Sequence, residues 1–110
     1  MRAPLSTHVL DVARGVPAAG IAVSLYAVDG ENRRFLTRAT TDEDGRTGAL
    51  AELDAGTYEL VFAAGAYFTA RDEPSFYDEI AVRFVVTDPA GRHHVPLLLS
   101  PFGYSTYRGS

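Results

Sequence analysis

Residues 93–100, HHVPLLLS, decide the reading of the fold. Successive side chains of a strand point to opposite faces, so Val95, Leu97 and Leu99 share one face. His94, Pro96 and Leu98 share the other, and a strand apolar on both sides must be covered on both sides. Residues 7–13 have the same character, with Val9 on one face and His8, Leu10 and Val12 on the other. One cover is the core of a sandwich. A chain of 110 residues has little left for the second, so a partner subunit is expected to face His8 and His94.

Outward from these two stretches the chain is cut into short apolar pieces. Residues 15–20 (GVPAAG), Asp29-Gly30, Asp44-Gly45, Gly56 and residues 88–91 (DPAG) are the breaks. Between them lie period-two runs. Ile21, Val23 and Leu25 share a face in residues 21–28, and Tyr58, Leu60 and Phe62 do so in residues 57–63. Ile80, Val82, Phe84 and Val86 alternate in the same way, with Arg83 and Thr87 opposite. Shorter strands are expected over 34–39 and 104–108, and one helix of about two turns over 64–70. The pattern is that of an all-β sandwich or barrel, one domain over residues 1–110.

Composition sets the outer limits. The absence of Cys excludes disulfides, thiolate zinc sites and a Cys nucleophile. Ten basic residues, all Arg, against fourteen acidic ones give a net charge of −4, with no footprint for nucleic acid or anionic lipid. The start, MRAPLSTHVL, lacks a signal peptide's apolar stretch and nothing approaches a membrane span, so a cytoplasmic protein is expected.

The three histidines are the side chains expected to titrate between pH 5 and 8. His93 and His94 point to opposite faces of a strand and cannot chelate one ion together. A zinc site would need His94, His8 and a carboxylate, and no metal or cofactor is expected. Residues 40–48, TTDEDGRTG, mimic a calcium loop only in outline. With Gly45 as its glycine, Ala51 would fall where a carboxylate is required. A tight turn is the expectation there. The serines form no G-x-S-x-G or S-x-x-K motif, and the aromatic-rich ending, FGYSTYRGS, reads as a docked strand rather than a frayed tail.

Three further stretches are specific: LSTHVLDVARGVPAAGIAVSLY near the start, Gly45-Arg46-Thr47 in the middle, and HVPLLLSPFGYSTYRGS at the end. They closely resemble the 5-hydroxyisourate hydrolases of the transthyretin-related family, over residues 5–110. The resemblance implies a transthyretin-like two-sheet β-sandwich of about eight strands with one short helix. It also implies a homotetramer around a channel, with active sites at the dimer–dimer interface. His8, Arg46, His94 and the terminal Tyr107-Arg108-Gly109-Ser110 match the family's site positions, and strand alternation adds Leu98 and Ser105.

The implied reaction opens 5-hydroxyisourate to 2-oxo-4-hydroxy-4-carboxy-5-ureidoimidazoline in urate breakdown. His8 and His94 suit the positioning and deprotonation of water, and Arg46 suits a planar substrate and its developing charge. Tyr107, Arg108, Ser110, Ser105 and Leu98 would shape the pocket. Two alternatives stand beside this: a Ser nucleophile, Ser105 or Ser110, and a carrier of an aromatic ligand in the same channel. Transthyretin, the carrier, has Lys, Glu and Thr where this chain has His8, Arg46 and His94. This chain also departs from the hydrolases, with His93 where Tyr is common and Asp78 where Pro is.

Overall fold

The computed structural model describes residues 2–110. In chain order its elements are β1 (Ala3–Asp11), β2 (Val16–Pro17), β3 (Ala22–Asp29), β4 (Asn32–Thr40), β5 (Ala51–Leu53), β6 (Gly56–Phe62), α1 (Ala64–Thr69), β7 (Ile80–Val86), β8 (His93–Ser100) and β9 (Gly103–Thr106). They form two sheets. One has the order β2-β1-β8-β9 with β5 also on β1, and the other the order β4-β3-β6-β7. The seven strands and the helix expected from alternation are all present, with shifted ends. β2 and β5, two and three residues long, are too short for alternation to reveal.

The buried sides of the two sheets form one core. Leu5, Val9, Leu97 and Leu99 from the first sheet meet Val23, Leu25, Leu60 and Phe62 from the second, and Phe68 of α1 joins them. Each such side chain contributes about 1.5–3 kcal/mol by leaving water. His93 is on the core side, 5% exposed, with its Nδ1 3.0 Å from the Gly91 carbonyl. It therefore faces away from His94, as strand alternation requires.

β1 and β8 run parallel, with Ser6 opposite His94 and His8 opposite Pro96. Residues paired this way share a face, so Ser6, His8, His94 and Leu98 all lie on the outer side of this sheet. Pro96 also explains why β9 stops at Thr106 instead of Arg108. It has no N–H to offer its neighbour, so the ladder lapses after Leu97–Thr106. The Thr106 hydroxyl donates to the Pro96 carbonyl at 2.7 Å instead. Pairing resumes at His94, whose carbonyl accepts the Gly109 N–H at 2.8 Å.

Two buried carboxylates are fully engaged. The Tyr67 hydroxyl donates to Asp11 Oδ2 at 2.8 Å and the Arg14 N–H to Oδ1 at 3.2 Å, tying the end of β1 to α1. Burial, reinforced by that carboxylate, pushes the Tyr67 phenol up to about 12. Glu59 sits on the outer side of the second sheet, as its place in the period suggests, yet it is buried. Arg83 from β7 and Arg33 from β4 close over it at 3.0 and 2.8 Å, and Arg33 lies over the Tyr26 ring on the way. Among the described residues no buried polar side-chain atom lacks a hydrogen-bond partner. No helix among them is long and apolar enough to cross a membrane.

Candidate active site

The free edge of β1 is the first determinant of the site. β5 pairs with its beginning and β2 with its end, which leaves the edge around His8 open to something else. Residues 42–46 fill it. The Val9 N–H donates to the Gly45 carbonyl at 2.8 Å, and Arg46 forms a bridge with His8. Asp42 shapes this loop, its Oδ1 accepting the N–H of Asp44 at 2.9 Å and of Arg46 at 3.0 Å. Asp44-Gly45 is a tight turn, as expected, but it docks on β1 rather than closing a hairpin.

Gly45 is required at this point. Its φ is +76°, and a Cβ there would lie 2.3 Å from the Val9 carbonyl oxygen. No side chain fits that approach. The loop in turn orients His8, whose Nε2 lies 2.9 Å from the Asp44 carbonyl. A carbonyl accepts only, so Nε2 carries a hydrogen and donates it to that loop.

His94 stands on the neighbouring strand, half-buried. Burial lowers its pKa below the ordinary 6.5, and the charges of Arg46 and His8 lower it further. A weaker upward pull comes from the Ser6 backbone. The imidazole is therefore neutral at pH 7, the state a general base needs. Ser6 Oγ lies 2.8 Å from its Nδ1. Gly109 packs against its other side, where a Cβ would come within 2.6 Å of His94 Cδ2.

The fold thus gathers His8, Arg46 and His94 on one face, and the Gly109 bridge brings the terminal segment to His94. Tyr107 and Arg108 line, with Phe84, His93, His94 and Val95, a groove of about 270 Å³ between β8 and the β7 edge, which neither His8 nor Arg46 borders. Arg108 donates to the Arg92 carbonyl at 3.3 Å, while Tyr107 and Ser110 are exposed. Leu98 and Ser105 pair with each other on the same face. They lie four residues further along, roughly 13 Å from His94 at the rise of a strand, and do not join the cluster. Sequence reading missed Ser6 and Asp42. Ser6 shares a parity with His8 that was legible, but the parallel register that sets it against His94 was not. Among the described residues no three His, Asp or Glu side chains gather as a metal would need.

A two-sheet sandwich with two histidines and an arginine on the outer side of one sheet defines the class of protein. The profile of the HIUase/transthyretin family matches residues 5–109, and the chain belongs to that family. The 5-hydroxyisourate hydrolase of Mesorhizobium japonicum is 52% identical, the match covering 96% of this chain and 91% of the relative. The structure of Klebsiella pneumoniae 5-hydroxyisourate hydrolase superposes with a TM-score of 0.86 at 37% identity, over 98% of this chain and 94% of that one. Sea bream transthyretin in complex with thyroxine superposes with 0.90 at 28% identity, over 96% and 94%.

Proposed function

We propose that the chain hydrolyses 5-hydroxyisourate to 2-oxo-4-hydroxy-4-carboxy-5-ureidoimidazoline, with His8, Arg46 and His94 as its catalytic residues. The observation that carries this reading is the convergence of those three side chains on one face, one imidazole held neutral beside a permanent cation. In the reaction, a neutral imidazole takes a proton from water while the water oxygen bonds to a ring carbonyl carbon. The carbonyl π electrons move to oxygen, and the Arg46 guanidinium stabilises that charge. Collapse of the tetrahedral species re-forms the carbonyl and breaks the C–N bond. The departing nitrogen takes the proton back from imidazolium, which leaves the enzyme unchanged.

The planar, oxygen-rich substrate suits the forked donors of Arg46 and Arg108. Tyr107 and Ser110 shape the remainder of the pocket, while Leu98 and Ser105, further along the strand, lie on the face that a second copy covers. Val12 on that face is 51% exposed in the single chain, and Leu10 and Leu98 are only half-buried. A homotetramer with the site at the dimer–dimer contact supplies the cover.

Overall shape does not separate this reading from ligand carriage, because the transthyretin superposes at least as well as the hydrolase. The residues do. A carrier has no use for a neutral imidazole placed beside a cation. The test is the decay of 5-hydroxyisourate generated in situ by urate oxidase, followed by ultraviolet absorbance. Acceleration by the protein, reduced roughly 10²- to 10⁴-fold in His94→Ala, is expected. A folded assembly without acceleration would return the carrier reading to first place.

A further inference from the structure

His94 is held from both sides of its ring. Ser6 Oγ contacts Nδ1 at 2.8 Å, and Gly109 packs against Cδ2 so closely that a Cβ would come within 2.6 Å. Nδ1 and Cδ2 flank the same ring carbon, so these two contacts oppose a flip of the ring. Among the described residues, the ring nitrogen left without a partner is Nε2, at its tip.

A hydroxyl can donate to Nδ1 or accept from it, and the two cases have opposite consequences. If Ser6 donates, Nε2 carries the hydrogen and cannot take one from water. If Ser6 accepts, Nε2 has the lone pair. The Ser6 backbone carbonyl also acts on this ring and raises its pKa, as an acceptor of a ring proton does. That carbonyl accepts only, so it favours a hydrogen on the edge of the ring that faces Ser6, and the hydroxyl at 2.8 Å is then left to accept.

We propose that Ser6 is a positioning residue, which accepts the Nδ1 hydrogen of His94 and leaves the Nε2 lone pair turned toward water and substrate. This rests on the reading of His94 as a base in hydrolysis. The hydrogen bond at one ring nitrogen determines which tautomer the other presents. Without Ser6, the imidazole would redistribute toward the Nε2–H form, which is the preferred tautomer of a free histidine side chain in water.

The experiment uses the full ¹⁵N-labelled chain above the pH at which imidazole titrates, with long-range ¹H–¹⁵N correlation to read the tautomer of His94. In the wild type, Nδ1 is expected to be the protonated nitrogen. In Ser6→Ala the population moves toward Nε2–H, and kcat falls roughly five- to tenfold, the size of one lost hydrogen bond, with KM little changed. Ser6→Thr keeps the hydroxyl and restores both readouts. A wild-type His94 protonated at Nε2 would overturn the proposal even if Ser6→Ala failed to fold. So would an unchanged tautomer and kcat in Ser6→Ala while His94→Ala is inactive, which removes Ser6 alone. Turnover that survives His94→Ala would instead remove the site assignment beneath it.

Discussion

His94 carries the clearest pH signature in the molecule. Burial and the charges of Arg46 and His8 hold its pKa below 6.5, so the base form dominates throughout the neutral range. The profile of kcat/KM is expected to be flat at neutral pH and to fall on the acid side with a midpoint below 6.5. Linkage runs the same way. The unfolded chain binds this proton near 6.5 while folded His94 does not, so its contribution to stability declines as pH falls below 6.5. A midpoint above 6.5 would mean that another group is the base. Gly109 is the second residue whose chemistry is forced. A methyl at that position collides with the His94 ring, so Gly109→Ala is expected to lower kcat roughly tenfold or more while Tm changes little. Stopped assays with a thermal melt separate the two effects.

At the scale of elements, the decisive unit is the loop of residues 42–46 against the edge of β1. It fills the interval between β5 and β2, accepts a hydrogen bond from His8 at the Asp44 carbonyl and delivers Arg46. Gly45→Ala strains the backbone at φ +76° and drives a Cβ into the Val9 carbonyl. The expected cost is about 1–3 kcal/mol of stability, with Tm lowered by at least about 4 °C. Activity should fall by more than stability explains, since Arg46 and the Asp44 carbonyl move together. Calorimetry and turnover on the same preparation test this, and a loss of stability with full activity would detach the loop from the site. The other short element, β9, ends where Pro96 interrupts its partner, and this interruption lets residues 107–109 leave the ladder and return to His94.

At the scale of the whole molecule, one sheet turns its outer side to the core of nothing. Val12, Leu10 and Leu98 remain accessible there, beside groups that need exclusion from bulk water to work well. A second copy over this face is expected to assemble the site. Val12→Asp places a charge on it far from the catalytic groups, and should shift sedimentation toward smaller species and reduce turnover in parallel. Far-ultraviolet circular dichroism should remain unchanged. Full activity from the smaller species would show that a single chain suffices.

The all-β class, the strand positions, the helix and the sidedness of His8 and His94 were legible in the sequence. Alternation is a local property, and each strand reports its own faces without reference to its neighbours. Pairing is not local. The parallel register that sets Ser6 against His94, the docking of Gly45 on Val9 and the return of Gly109 to His94 join residues 36 to 88 positions apart or close a loop across a broken ladder. Glu59 shows the same limit from another side, since its parity turned it outward while two arginines from other strands buried it. Sequence by itself determined which groups this protein has and which way each strand presents them. Only the tertiary structure decided which of them meet, because register and loop docking are settled by contacts between segments that no single segment encodes.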